Sequence, residues 1–385
     1  MRGKQKLYSV IFICLLLICA IGILIFKQYG DWKNAFSKKE YTVQTNTTRT
    51  LSLKTKEFHS NVTIGGIGDI LIHDWVYEDA KTKDGYNFKP IFQNVKAMMQ
   101  KPDLLIANQE STPGGAQLGV SSYPSFNSPY EIVDAIKDAG VDFVTTANNH
   151  ALDKGERGLL SALSYYDKVH LPHVGTFKSK EDQDTLRIET INGIKIAVLS
   201  YTYGTNGIPV PEGKDYLVNL IDRDKILAEL KKARSQADVV ILSMHWGIEY
   251  QRQPNEEQKQ LAKLFTDGGA DIILGSHPHV LQPIEKMHTE DGRDALVVYS
   301  LGNFISGQMW DYKDIGGMVE IKVSKDVTSS GKSIKLEDVQ FYPTFVYNQK
   351  LKNYRLYPLQ DAYANGMADH SYNEIMQHMM SGLKK

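Results

Sequence analysis

The chain has 385 residues, 42% of them hydrophobic and 23% charged, with a formal net charge of −1 at pH 7. Such a composition is globular rather than disordered and is long enough for one large domain or two modest ones. The near-zero charge supplies no basic field, and no arginine-rich or aromatic–basic stretch adds one, so nucleic acid is not an expected partner.

The first element in chain order is Leu7 to Phe26, a run without a single charge. It matches the roughly 20 residues a helix needs to cross a bilayer. Arg2, Lys4 and Lys6 precede it. Residues 1–6 are therefore expected in the cytoplasm, 7–26 as a single-pass signal anchor in the cell membrane, and the rest outside. A cleaved signal peptide is the competing reading, but no small-x-small site follows the apolar core. Lipidation is disfavoured, because Cys19 follows Leu17-Ile18 where a small residue is expected. Both cysteines, Cys14 and Cys19, lie inside this run. The exported portion thus has no thiol, which excludes disulfides, a cysteine nucleophile and a cysteine-ligated zinc.

Residues 27–60, rich in Lys, Thr, Ser and Asn without a sustained period, read as a juxtamembrane linker. From there strand and helix signals alternate. Strands are predicted at Val62–Ile67, Asp103–Ala107, Val141–Thr145, Val239–Ser243, Asp271–Leu274, Ala295–Ser300 and Gly317–Val323. Helices are predicted at Ile91–Gln100, Tyr130–Ala139, Gly155–Lys168, Asp222–Gln236 and Asn255–Gly268, the last with Asn255 as N-cap. Asn192-Gly193 between Thr185–Ile191 and Ile194–Tyr201 signals a hairpin, and Ser330–Ser333 a second hairpin turn. The expectation is one α/β domain over residues 61–345 with a mixed sheet and covering helices. Residues 346–385, with the segment Leu351–Leu356 and a short helix near Tyr372–Leu383, form a C-terminal extension that packs against it or trails away.

Polar residues cluster just beyond these strands. In open α/β sheets the carboxyl ends of strands are where ligands gather. Asp69 closes the first strand, although Gly-Asp is also a common turn, and His73 is a second ligand or substrate contact unless it is a turn histidine. Glu110 sits three residues past its strand with Asn108 to orient it; a solvated loop glutamate is the plain alternative. In Asn148-Asn149-His150 the Asn149 amide oxygen can ligate a metal while His150 stays free to donate a proton; capping asparagines in a turn are the alternative. His245 lies near a strand end beside Trp246, for which buried packing is the simpler account. Gly275-Ser276-His277-Pro278-His279 presents two imidazoles from a proline-stiffened loop, a pattern with no ready structural explanation. Asn303 follows another strand and lines the site or makes a tight turn. Imidazoles, carboxylates and an amide oxygen suit two divalent transition ions such as Mn²⁺, Zn²⁺ or Fe²⁺ better than Ca²⁺. Gly331-Lys332-Ser333 is no P-loop, since Asp326 stands where the earlier glycine belongs.

In this order, Gly-Asp, Asn-x-Glu, Asn-Asn-His, His-Trp-Gly, His-Pro-His and Ser-Leu-Gly-Asn-Phe, running from about Thr63 to Phe304, resemble the CapA-like family of bacterial poly-γ-glutamate capsule synthesis proteins. That family is similar to the calcineurin-type metallophosphatases. The resemblance implies a sandwich of two facing mixed sheets flanked by helices around a dimetal centre, and an N-terminal membrane anchor. It implies Asp69, Glu110, Asn149, His245, His277 and His279 as metal ligands and His150 as proton donor to the leaving group, with His73, Asn148, Trp246 and Asn303 toward the substrate. Glu110 stands where a bridging aspartate is usual, Ala151 where an acidic residue is common, and His73 lies four residues after Asp69 rather than two. The expected function is a metal-dependent hydrolase acting in synthesis, export or attachment of an anionic surface polymer, beside synthase or exporter subunits. A non-catalytic, polymer-binding accessory subunit and a scavenging phosphoesterase are the alternatives.

Overall fold

The computed structural model describes residues 14–30 and 57–383. Residues 14–30 are helical, and the large apolar side chains among them, such as Leu16, Ile18 and Phe26, are exposed. Residues 1–13, which include the start of the expected anchor, and residues 31–56 of the expected linker lie outside the described residues. Among the described residues no helix is long and apolar enough to cross a membrane.

The second unit, Thr55–Lys385, is built on two sheets. In the first, the order is Arg355–Pro358, Gly331–Tyr347, Ile315–Thr328, Phe58–Leu71, Leu104–Gln109, Phe143–Thr145 and His173–Val174, with Asn303–Ser306 added beside the end of Phe58–Leu71. In the second, the order is Leu281–His288, Asp294–Leu301, Ile272–Ser276, Val239–His245, Ile194–Thr202 and Arg187–Ile191. Both are mixed: Phe58–Leu71 runs parallel to Leu104–Gln109 but antiparallel to Ile315–Thr328.

Alternation along each strand distributes side chains to two faces. Val239 and Ile241 join Val62, Ile64, Leu104 and Ile106 in the cluster between the sheets. Val240, Leu242 and Met244 face outward, where Ile226, Leu230, Leu261 and Phe265 of the helices Arg223–Arg234 and Glu256–Asp267 cover them. On the other outer face, helices Glu131–Ala139 and Gly155–Lys168 cover Leu105, Ala107 and Val144. The result is the expected sandwich of two facing mixed sheets between helical layers.

Local signals account for much of this. Asn192 and Gly193 both adopt positive φ, 51° and 78°, the requirement of a type I′ hairpin turn. Asn255 makes a capping box with Gln258, which supplies partners for donors at the helix start. The single helix predicted over Ile91–Gln100 is instead two short turns, Lys89–Phe92 and Lys96–Met99. At the break the Asn94 side chain donates to the Leu356 carbonyl, a partner 262 residues away that no local period reports. Residues 346–385 do not trail away. Arg355–Pro358 extends the first sheet, and Leu359, Ala362, Ile375 and Met379 are buried in the cluster between the sheets.

Two glycines let strands approach where the polar ends converge. A Cβ on Gly68 would lie 2.0 Å from the Gly302 carbonyl oxygen, and one on Gly275 would lie 2.0 Å from that of Tyr299. Any larger residue would push apart the strands that carry Asp69 and the His277 loop.

Candidate metal centre

Asp69, Glu110, Asn149, His245, His277 and His279 arrive from five segments and are all buried. Asp69 lies near the end of Phe58–Leu71, where the pairing register shifts on both sides; such bulges re-aim a side chain. Asn108 donates to its Oδ1 at 2.8 Å. Glu110 follows the last residue of Leu104–Gln109, and its amide is held by the Ile70 carbonyl. His245 ends its strand. His277 and His279 adopt positive φ, 98° and 59°, a strained conformation for residues with a Cβ and one that clusters at functional sites.

Three-residue sets bring their ligand atoms within 4.8 Å of one another: Asp69, Glu110 and His279 form one set, Glu110, His245 and His277 a second. Glu110 belongs to both. One of its oxygens is 3.6 Å from His245 Nε2 and 3.6 Å from His279 Nε2. Asn149 Oδ1 is 2.8 Å from His245 Nε2, and the other ring nitrogen of His245 meets the Ser276 hydroxyl at 2.9 Å. His279 Nδ1 lies 3.2 Å from Asp69 and 3.1 Å from Asn303 Oδ1.

The electrostatics suit a cation. Among the described residues neither oxygen of Glu110 has a hydrogen-bond partner, and neither does His277 Nδ1. A buried carboxylate left in that state costs more than a solvated one. Burial pushes the Glu110 carboxyl well above the usual range, with His279 opposing. Burial also lowers His277 to about 3 and holds His245 well below its ordinary value. Both imidazoles are therefore neutral, the form whose lone pair can ligate. His279 is the exception: burial acts to lower it, but Glu110 and Asp69 outweigh that and raise it to about 9. Oxygen and imidazole donors in this mixture fit a divalent transition ion.

His150 is buried beside this set, with Nδ1 2.7 Å from Asp153 Oδ2. Asp153 supplies the acidic partner that Ala151 cannot. Sequence reasoning missed it, although the spacing His150-x-x-Asp153 was available as a signal.

Four residues expected to meet substrate have other roles or sit at the flank. Trp246 is 1% exposed in the outer core beside Tyr299, whose carbonyl accepts from its indole N–H at 3.0 Å. Asn148 is buried and spends its amide on the Gln109 carbonyl and the His150 N–H. Asn303 is fully buried, orienting His279 while donating to Gln308 and the Lys313 carbonyl. In these three the polar side-chain atoms meet protein partners. His73 lies at the flank, its ring against Phe126 and its Nδ1 accepting from the Gly307 N–H at 3.2 Å; it belongs to neither ligand set. Burial lowers it to about 4. Tyr203 and Tyr250, which the sequence did not single out, stand near His277 and His279 with ring centroids 4.7 and 6.2 Å away.

The chain is similar to several known proteins. The PGA biosynthesis protein CapA of Bacillus subtilis is 30% identical over 291 residues, 74% of each chain. The capsule biosynthesis protein CapA of Bacillus anthracis is 32% identical over 205 residues, 52% of this chain and 48% of that relative. Among solved structures, the calcineurin-like phosphoesterase YfkN of Bacillus subtilis overlaps 74% of this chain and 91% of its own, with 19% identity and a TM-score of 0.44. The family model of the bacterial capsule synthesis protein PGA_cap matches residues 63–308, a span that holds every candidate ligand, and the chain belongs to that family.

Proposed function

We propose that this protein acts outside the cell membrane in the biosynthesis of an anionic capsule polymer, poly-γ-glutamate or a relative, through a two-metal, phosphoesterase-like site. The family and the names of its two Bacillus relatives support the pathway. The uncharged run Leu7 to Phe26 behind three basic residues supports a single-pass anchor. Through it the domain would stand beside the polymer synthase or exporter.

The observation that carries the site is Glu110, a fully buried carboxylate with two unpartnered oxygens, shared by two ligand sets. Asp69, Glu110 and His279 would hold one divalent ion, and Glu110, Asn149, His245 and His277 the other. Mn²⁺, Zn²⁺ or Fe²⁺ bound there would supply a water of lowered pKa and offset charge on a phosphoryl oxygen. The rest of the chemistry belongs to side chains. Asn108, Ser276 and Asn303 fix Asp69, His245 and His279, and such supporting contacts orient ligands. Asp153 accepts from His150 Nδ1, which holds the ring and leaves its other nitrogen to carry a proton to a leaving oxygen.

The test is metal content by plasma mass spectrometry on the full chain in detergent, beside the variant carrying His277→Ala and His279→Ala, with hydrolysis of bis-p-nitrophenyl phosphate and capsule formation as readouts. The expected result is near-stoichiometric transition metal, turnover and capsule, all lost in the variant. Capsule formation with metal but without turnover would favour a polymer-binding accessory. No metal after incubation with Mn²⁺, Zn²⁺ or Fe²⁺ would overturn the two-metal reading.

A further inference from the structure

Glu249 takes no part in the ligand sets described above, yet its carboxylate comes within 4.8 Å of ligand atoms on both His277 and His279. It is exposed, whereas those two imidazoles and Glu110 are buried. It therefore meets the centre from the solvent side while Glu110 meets it from within.

The loop that carries Glu249 is tied in place. The Trp246 N–H donates to the Ser276 carbonyl at 3.2 Å, and the Tyr250 N–H to the Pro278 carbonyl at 2.8 Å. Between these anchors Gly247 takes φ 86°, and Tyr250 itself takes φ 66°. A side chain with a Cβ held there marks a backbone that its surroundings over-determine. Among the described residues no lysine or arginine forms an ion pair with Glu249; the nearby Lys313, whose ammonium lies over the Tyr250 ring, pairs with Asp311. The groups near Glu249 include the two imidazoles, Glu110, Tyr203 and Tyr250, whose side chain hydrogen-bonds it, and among the described residues His277 Nδ1 is buried without a hydrogen-bond partner. The half of the centre formed by Asp69, Glu110 and His279 also has one ligand fewer than the other, since His73 belongs to neither ligand set.

We infer that Glu249 is an outer, exchangeable ligand of the metal centre, closing its solvent side between His277 and His279 until an oxyanion of the substrate takes its place. This rests on the two-metal reading above. The displacing group is a phosphoryl or carboxylate oxygen, since both present the same charged oxygen to a divalent ion. A substrate would then bind by exchange of one carboxylate for another anion.

The experiment uses the full chain in detergent as wild type and as Glu249→Ala, Glu249→Gln and Glu249→Asp. Mn²⁺ binding is followed by calorimetry and electron paramagnetic resonance, then inorganic phosphate and glutarate are titrated into the Mn²⁺-loaded proteins. One Mn²⁺ affinity is expected to fall roughly ten- to a hundredfold in the Ala and Gln variants, a range typical of lost support at a metal site, and to recover largely in Asp. The loaded Ala variant should bind an oxyanion more tightly than wild type, because nothing has to be displaced. Tightening for phosphate alone or glutarate alone identifies which oxyanion the position takes. Unchanged Mn²⁺ affinity in all variants overturns the inference while leaving the two-metal reading intact. Weaker Mn²⁺ binding with unchanged affinity for both anions overturns the exchange. Wild type that takes up no Mn²⁺ overturns both readings.

Discussion

Strands Val239–His245 and Ile272–Ser276 each carry a buried acid just before their first residue and a histidine at or just past their last. At the leading ends, Asp238 and Asp271 are 6% and 4% exposed, and all four carboxylate oxygens are paired. Asp238 receives Lys325, Lys332 and the Lys195 N–H, and Asp271 receives Arg234, Arg293 and the Val240 N–H. At the trailing ends, His245 and His277 meet Glu110, which is equally buried and has no donor on either oxygen. The same strands thus bury acid twice, once with a donor on every carboxylate oxygen and once with none. The paired acids at the leading end serve stability; the unpaired one at the trailing end is the one proposed to hold a ligand.

Breaking the paired end should give the largest effect on the fold. Asp271→Ala takes a shared carboxylate from two partly buried guanidinium groups and the Val240 N–H, leaving Arg293 with Asp291 and Arg234 with the Asp238 carbonyl, and is expected to cost about 3–5 kcal/mol, read as a lower urea midpoint. An effect within 0.5 kcal/mol would mean that the pairing is incidental. On the open side, Asp153→Asn is expected to lower kcat for a phosphodiester about a hundredfold while metal content stays at the wild-type level. Lost metal with lost rate would make Asp153 a structural partner instead. Glu110→Gln should separate the two ends most sharply. It replaces a buried carboxyl that has no donor by a group that carries no charge in any protonation state, so in EDTA the variant is expected to be about 1–2 kcal/mol more stable, and with Mn²⁺ that advantage should disappear. A variant destabilised in EDTA would show that Glu110 contributes to the fold without an ion.

The smallest expected effect is one of pH. Burial acts to raise Asp238, but the Lys195 amide, Lys325 and Lys332 outweigh it and hold the carboxyl at about 2 against an ordinary 3.8. A depressed folded value means that the stabilisation is present above the unfolded value and is lost as pH falls from about 3.8 toward 2. Wild type and Asp238→Asn should therefore differ in urea midpoint at pH 6, and the difference should shrink steadily as pH falls from about 3.8 toward 2. A constant difference across that range would assign the effect of the substitution to packing.

The amino-acid order already determined most of the proposed ligand shell. Asp69, Glu110, Asn149, His245, His277 and His279 stand at or just past apolar, β-branched runs, and a strand read from its pattern delivers its last residue to a known edge. Gly155–Lys168, the Asn192-Gly193 turn and the Asn255 cap were legible for the same reason, because each depends on neighbours within a few residues. Tertiary structure alone decided the rest. Trp246 turns into the core because strand alternation sends it opposite His245, and the Tyr299 carbonyl waits there for its indole. Asp153 and Glu249 lie in loops, where no period reports direction, and each acquires its role from a histidine brought near by folding. Which carboxylates are paired depends on contacts such as Asp238 with Lys332, 94 residues apart. A sequence fixes what a strand end can offer; only the packing of separate strands decides whether a buried charge finds its partner in the chain or is left for a cation.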